Sequence, residues 1–189
     1  MEIYRTFDKQ YQGIYLACFV DCTIYETPED YETELDKIQD QLQDPLYVRN
    51  FIKSPRSGWK KGNYRNEPLK YLAENILEEA GDLFDKLDEI SNQSQNGNPF
   101  ELLFDNFKEL SPNEKYNDPG RRKMYTYDYN SLLRLYGVRL NNDCIIITGA
   151  GLKFVKAMQD CKALQLELDK MNYLIEWLKE NKITDCSDF

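Results

Sequence analysis

Arg134, Arg139, Lys153 and Lys156 stand close together in the chain, with Tyr125, Tyr127, Tyr129 and Tyr136 around them. Guanidinium and ammonium groups grip phosphate oxygens and stabilise charge that develops on them, while phenols stack on bases or donate hydrogen bonds. This group could do chemistry on a phosphodiester. A second group lies in SPRSGWKKGNYRN, residues 54 to 66, where Arg56, Lys60, Lys61 and Arg65 are interleaved with Trp59 and Tyr64. Cations that neutralise phosphates beside rings that stack on bases are the combination used by single-strand binders. The basic triplet Arg121, Arg122 and Lys123 adds to the same capacity. A third group is acidic. Glu78, Asp82, Asp85 and Glu89 recur at helical spacing; they could hold a metal or pair as acid and base, but such a row is what a solvated helix face normally carries.

Other chemistry is excluded by composition. The 189 residues contain no histidine, so Ser-His-Asp and Cys-His catalysis are impossible and no side chain titrates near neutrality in its ordinary state. Catalysis would have to run on carboxylates, Lys, Arg, Tyr or a thiol. Cys18, Cys22, Cys144, Cys161 and Cys186 are odd in number and irregular in spacing, which reads as reduced thiols rather than a disulfide framework. The C-x3-C pair has no second pair to complete a tetrahedral zinc site. No metal or cofactor is expected.

The formal net charge is -9, yet the charges are segregated. Residues 45 to 66 hold six basic residues and no acidic one, residues 67 to 120 hold four basic and thirteen acidic, and residues 121 to 157 hold seven basic and two acidic. Two local segments could therefore meet a polyanion although the whole is acidic. The longest apolar run, Ile14 to Val20, is far short of the roughly 20 residues a membrane helix needs. The opening residues lack a basic stretch followed by an apolar one. A cytoplasmic location is expected.

The elements that must position these residues follow from periodicity. Residues 1 to 20 read as a hairpin rich in Tyr, Phe, Ile and Val. Thr27-Pro28-Glu29-Asp30 reads as a helix start, with the helix running to Gln43. Asp44-Pro45 breaks it, and a short helix over 45 to 53 follows. Leu69 to Ile90 has the strongest helical period in the chain. Asn92 to Pro99 is a polar linker, and Phe100 to Leu110 reads as a short amphipathic helix. Met124 to Tyr129 reads as an edge strand. Leu132 to Leu140 and Cys144 to Thr148, joined by Asn141-Asn142-Asp143, read as a tight hairpin that ends at Gly149-Ala150-Gly151. Arg134, Tyr136, Val138 and Leu140 would share one face, with Arg139 on the other, and CIIIT, apolar on both faces, would be a central strand. From Leu152 to residue 181 a helical stripe continues, with a break expected near Gln159-Asp160 or a partner, such as a second copy, to cover it. The order of elements predicts one α+β domain over 1 to 189: an antiparallel sheet from the two hairpins, helices on one face, a long C-terminal helix and a helical insertion at about 55 to 120.

Arg134-Leu-Tyr136, a polar turn, Ile145-Ile146-Ile147-Thr148-Gly149, then Lys153 and Lys156, resembles the C-terminal core of RelE/HigB-type toxins. The resemblance covers about residues 132 to 157. It implies an endoribonuclease that cuts messenger RNA without histidine and is silenced by a small helix-turn-helix antitoxin. Carried over, Arg134 would clamp the phosphate, Lys153 or Lys156 would stabilise charge or act as base, and Tyr129 or Tyr136 would contact the base or the leaving group. Arg56, Trp59, Lys60, Lys61, Arg65, Arg121, Arg122, Lys123 and Arg139 are the expected RNA contacts. The whole chain also resembles uncharacterised proteins of Bacteroidetes genomes, a likeness that carries no chemistry. The competing reading is a non-enzymatic interaction protein of a mobile element or defence system, using the acidic helices of residues 67 to 90 and 100 to 110 to bind a basic partner.

Overall fold

Two rows of side chains decide the layering. Ile145 and Ile147 alternate with Cys144 and Ile146 along one strand, and all four are buried, so that strand needs cover above and below. The computed structural model describes residues 2–5, 14–19, 33–94, 106–114, 119–128, 130–141 and 144–188. Its strands are β1 (Glu2–Arg5), β2 (Ile14–Cys18), β3 (Phe107–Glu109), β4 (Gly120–Tyr125), β5 (Leu133–Asn141) and β6 (Cys144–Leu152). Its helices are α1 (Glu34–Gln43), α2 (Pro45–Lys53), α3 (Leu69–Ser94) and α4 (Lys162–Glu180). The strands form one six-stranded sheet in the order β1-β2-β6-β5-β4-β3. The fold is α+β, with a long C-terminal helix, and no helix among the described residues is long and apolar enough to cross a membrane.

Both expected hairpins are present, β1 with β2 and β5 with β6. The sheet that unites them is mixed, where an antiparallel one was expected, because β2 runs parallel to β6 with Ile14 opposite Ile145. Strand sequence does not set relative direction; the connection does, and here it is long enough for the crossover that a parallel pair needs. Helices cover both faces instead of one. Ile14, Leu16, Leu133, Leu135, Ile145 and Ile147 form one core with buried residues of α1, α2 and α3. Tyr15, Ala17, Tyr136, Val138, Leu140 and Ile146 form a second with α4. The stripe of α4, Leu164, Leu168, Met171, Leu174 and Leu178, is thus covered by the chain's own sheet.

Local chemistry sets the boundaries. The expected helix start at Thr27 lies outside the described residues; the cap observed is Thr33, whose hydroxyl accepts from the Asp36 N–H at 3.2 Å while its own N–H donates to Asp36 Oδ2 at 3.0 Å. This reciprocal pair satisfies two otherwise orphaned donors. Asp44 caps α2 by accepting from Leu46 N–H at 2.8 Å, and Pro45 occupies the first turn, where a missing N–H costs nothing. Most of the helix expected over 100 to 110 lies outside the described residues, but 107 to 109 is a strand. Phe107 turns inward opposite Met124, and so short a run has no period to separate strand from helix. β4 begins at Gly120, earlier than expected, and β3 covers its outer edge, so it is not an edge strand. β6 does not stop at Gly149; it passes through an irregularity in its pairing with β5 near Tyr136 and Gly137 and continues to Leu152. The helix expected from Leu152 starts only at Lys162: Leu152 ends β6, residues 153 to 157 are not helical, and a short turn at Met158–Asp160 stands where the break was expected.

The described pairing of β2 with β6 ends at Ile147, while β5 accompanies β6 to Leu152. An ion triad from two helices lies against β6. Lys170 of α4 contacts Glu34 of α1 at 2.7 Å and Glu167 at 2.9 Å, and donates to the Thr148 carbonyl at 3.3 Å. All three charged residues are buried. A Cβ on Gly149 would collide with the Glu167 carboxylate and lie 2.6 Å from Lys170 Nζ, so only glycine fits there.

Candidate nucleic-acid interface

Alternation along paired strands brings the basic residues together. In β4 and β5, Lys123 lies opposite Tyr136 and Tyr125 opposite Arg134; cross-strand partners share a face. Arg121, Lys123 and Tyr125 therefore stand with Arg134 and Tyr136 on the α4 side of the sheet. The segment between β6 and α4 returns over that face, tied by the Lys153 N–H to the Leu132 carbonyl at 2.8 Å. The result is a cleft of about 250 Å³ lined by Arg121, Lys123, Arg134, Lys153, Lys156 and Tyr136, with Leu110, Ser111 and Met158 at its margins. No carboxylate is among its lining residues that the structure describes. Gly151 permits this assembly, since a Cβ there would stand 2.8 Å from Leu164 of α4 and 3.4 Å from the Tyr136 ring.

Neutral acceptors among the described residues help to orient three of the cations. Arg134 Nη1 donates to the carbonyls of Ser131 and Leu133 and to the Ser131 hydroxyl, and its guanidinium lies over the Tyr125 ring at 4.2 Å. Lys123 Nζ donates to the Leu110 carbonyl at 3.2 Å. Arg121 donates to Asn172 Oδ1 of α4 at 3.0 Å. Behind Arg134, the Glu79 carboxylate of α3 accepts the N–H groups of Leu132 and Leu133 at 2.9 and 2.7 Å, which anchors the start of β5.

The electrostatics follow from crowding and burial. Burial, then the charges of Lys123 and Arg134, lower the pKa of the Lys153 ammonium; its amine has no hydrogen-bond or ion-pair partner among the described residues. Burial also lowers that of Arg134, against the opposing pull of Tyr125 and Tyr136. The Tyr136 phenol, 1% exposed, is pushed far up by burial and then by Glu167. It keeps its proton at neutral pH and can donate but not act as base.

All four residues expected to do chemistry, Arg134, Lys153, Lys156 and Tyr136, line this cleft, as do Arg121 and Lys123 among the expected contacts. Others do not. Arg139 lies one step out of phase with Arg134 and Tyr136 and belongs to the opposite face. Arg122, also out of phase, is 1% exposed and donates to the Arg121 carbonyl at 2.9 Å. Arg56, Lys60, Lys61 and Arg65 are exposed but outside the cleft lining. Trp59 and Tyr64 do not form the expected stacking platform: the indole N–H donates to the Tyr64 carbonyl at 2.7 Å, Tyr64 packs edge-on to Phe154 at 6.3 Å, and both rings lean on the core. Tyr129 lies outside the described residues. The α3 acids bring no group of three possible metal ligands together among the described residues.

Glu79 and Asn172 were not anticipated. A signal for Glu79 existed: it comes three residues after Ile76 and four before Leu83, both buried, so it lies on the apolar stripe while the other acids face water. Comparison with protein-family models, curated proteins and solved structures finds no match.

Proposed function

We propose that the chain is a metal-independent endoribonuclease acting on single-stranded RNA, of the toxin type and held in check in the cytoplasm by a small helix-turn-helix antitoxin. The convergence of five cations and a protonated phenol on one cleft carries this reading, since such a lining attracts and activates a phosphodiester. The resemblance of residues 132 to 157 to RelE/HigB-type toxins supports it. In the reaction the ribose 2′-oxygen attacks the adjacent phosphorus as its proton passes to the neutral amine of Lys153, a form that burial and the charges of Lys123 and Arg134 favour. Arg134 and Lys123 hold the non-bridging oxygens. The bond from phosphorus to the 5′-oxygen breaks, and the Lys156 ammonium protonates the departing oxygen, leaving a cyclic phosphate and a 5′-hydroxyl.

The test compares cleavage of labelled RNA by the wild type, Arg134→Ala and Arg139→Ala. Loss of a preorganised charge stabiliser costs about a hundredfold or more in rate, so Arg134→Ala should fall by at least that much while Arg139→Ala, on the other face, stays near wild type. Equal rates in all three proteins would sink the assignment.

A further inference from the structure

The basic loop of residues 54 to 66 is not absorbed by the cleft. With Arg49 and Lys53 just before it, its Arg56, Lys60, Lys61 and Arg65 make six exposed cations in a stretch that contains no acid. None of the six forms an ion pair among the described residues. The nearby acidic helix does not neutralise them; its Glu74 pairs with Lys70 at 3.7 Å.

The loop is also fixed in place. The Ser57 hydroxyl donates to the Ile52 carbonyl at 2.7 Å, and the Arg56 carbonyl accepts from Ala163 N–H at 3.2 Å and from the Cys161 thiol at 2.9 Å. A Cβ on Gly58 would lie 2.9 Å from Val155 and 3.2 Å from Cys161, and one on Gly62 would collide with the Phe154 carbonyl. Phe154 and Val155 sit between Lys153 and Lys156 in sequence. The loop is therefore built directly onto the segment that forms the cleft's rim, and Lys156, which lines the cleft, is itself exposed. Over residues 153 to 163 the only acid is Asp160, against Lys153, Lys156 and Lys162.

We propose that cleft and loop form one phosphate track, so that the ligand is a single-stranded RNA running from the cleft past Lys156 onto Lys60, Lys61 and Arg65, held there by its backbone and not its bases. This deepens the RNA reading above and rests on it. Base recognition is absent from the loop because its two rings are already engaged, Trp59 with the Tyr64 carbonyl and Tyr64 with Phe154. Ammonium and guanidinium contacts to phosphate position a strand without reading its sequence.

Fluorescence anisotropy of the full chain with labelled oligouridylates, one a dinucleotide and one long enough to span cleft and loop, tests this at several salt concentrations. The longer strand should bind more tightly and with the steeper salt dependence, and an oligocytidylate of equal length should bind alike. Replacing Lys60, Lys61 and Arg65 together by Gln, all at exposed positions, should weaken only the longer strand and lower its log-log salt slope by about 2, at roughly 0.7 per phosphate contact on a single strand. Arg134→Ala should do the reverse, losing the dinucleotide while keeping the increment with length. A triple variant that binds the longer strand as the wild type does would overturn the track. If the increment with length survives but no strand is ever cut, the nuclease reading fails and the track stands. Cleavage that the loop variant leaves untouched, with the longer strand bound as before, removes the track and keeps the nuclease. Binding of no oligonucleotide at all would overturn both.

Discussion

A single carboxylate, Glu79, holds two backbone N–H groups at the entry to β5, and these lead straight to Arg134. Burial raises the Glu79 pKa above its ordinary value, although the two N–H groups and Arg134 pull it down. Glu79→Ala leaves two donors without their acceptor, which costs about 1 to 3 kcal/mol. A urea titration should show that loss. A second residue-scale prediction concerns Glu167. Glu167 shares the Lys170 ammonium with Glu34, which also meets Lys37 at 3.4 Å, and Glu167 Oε2 has no hydrogen-bond partner among the described residues; burial raises its pKa above the ordinary 4.5. A group whose folded value is raised contributes stability that is present below the unfolded value and lost as pH rises through the folded one. Unfolding free energies measured from pH 4.5 upward should thus decline in the wild type relative to Glu167→Gln, which mimics the protonated form; a constant difference would contradict the assignment. At this scale much was legible in advance. Period-two alternation alone puts Arg134 with Tyr136 and against Arg139, and the structure keeps that division. The same alternation would have separated Arg122 from Arg121 and Lys123, but the expected strand began at Met124, whereas β4 begins at Gly120; what alternation within one strand cannot supply is the register that sets Lys123 opposite Tyr136.

Elements with many turns of regular period were readable, and short ones were not. α3 follows the expected helix because its buried positions repeat over several turns; β3, three residues long, acquires its state only from pairing with β4. The parallel joining of β2 to β6 and the placement of α4 on its own face are properties of the connections, which strand patterns do not encode. α4 is held by burial of its stripe rather than by a capping side chain, since Cys161 at its N-cap makes no side-chain capping bond. Leu164→Ala removes a fully buried side chain that rests near Gly151 and should cost about 2 to 5 kcal/mol, read as a lowered Tm. Because Leu164 does not line the cleft, affinity for the dinucleotide should be unchanged in protein that remains folded.

Across the whole molecule, charge of opposite sign is assigned to different surfaces: acids along the outer side of α3, cations around the cleft and the loop fixed to its rim. The net charge of -9 therefore says little about what the cleft attracts at close range, because screening at physiological salt confines a surface charge to roughly 8 Å. The two cores are also completed at different times. The side of the sheet that meets α1, α2 and α3 is closed by segments made before β4, β5 and β6, whereas the side bearing Arg134 and Tyr136 waits for α4. During synthesis the finished sheet emerges from the ribosome with one oily face still bare, and the cleft acquires its wall only when residues beyond 161 have followed. A chain released early at that point would expose Tyr136, Val138 and Ile146 to its neighbours and would be prone to aggregate.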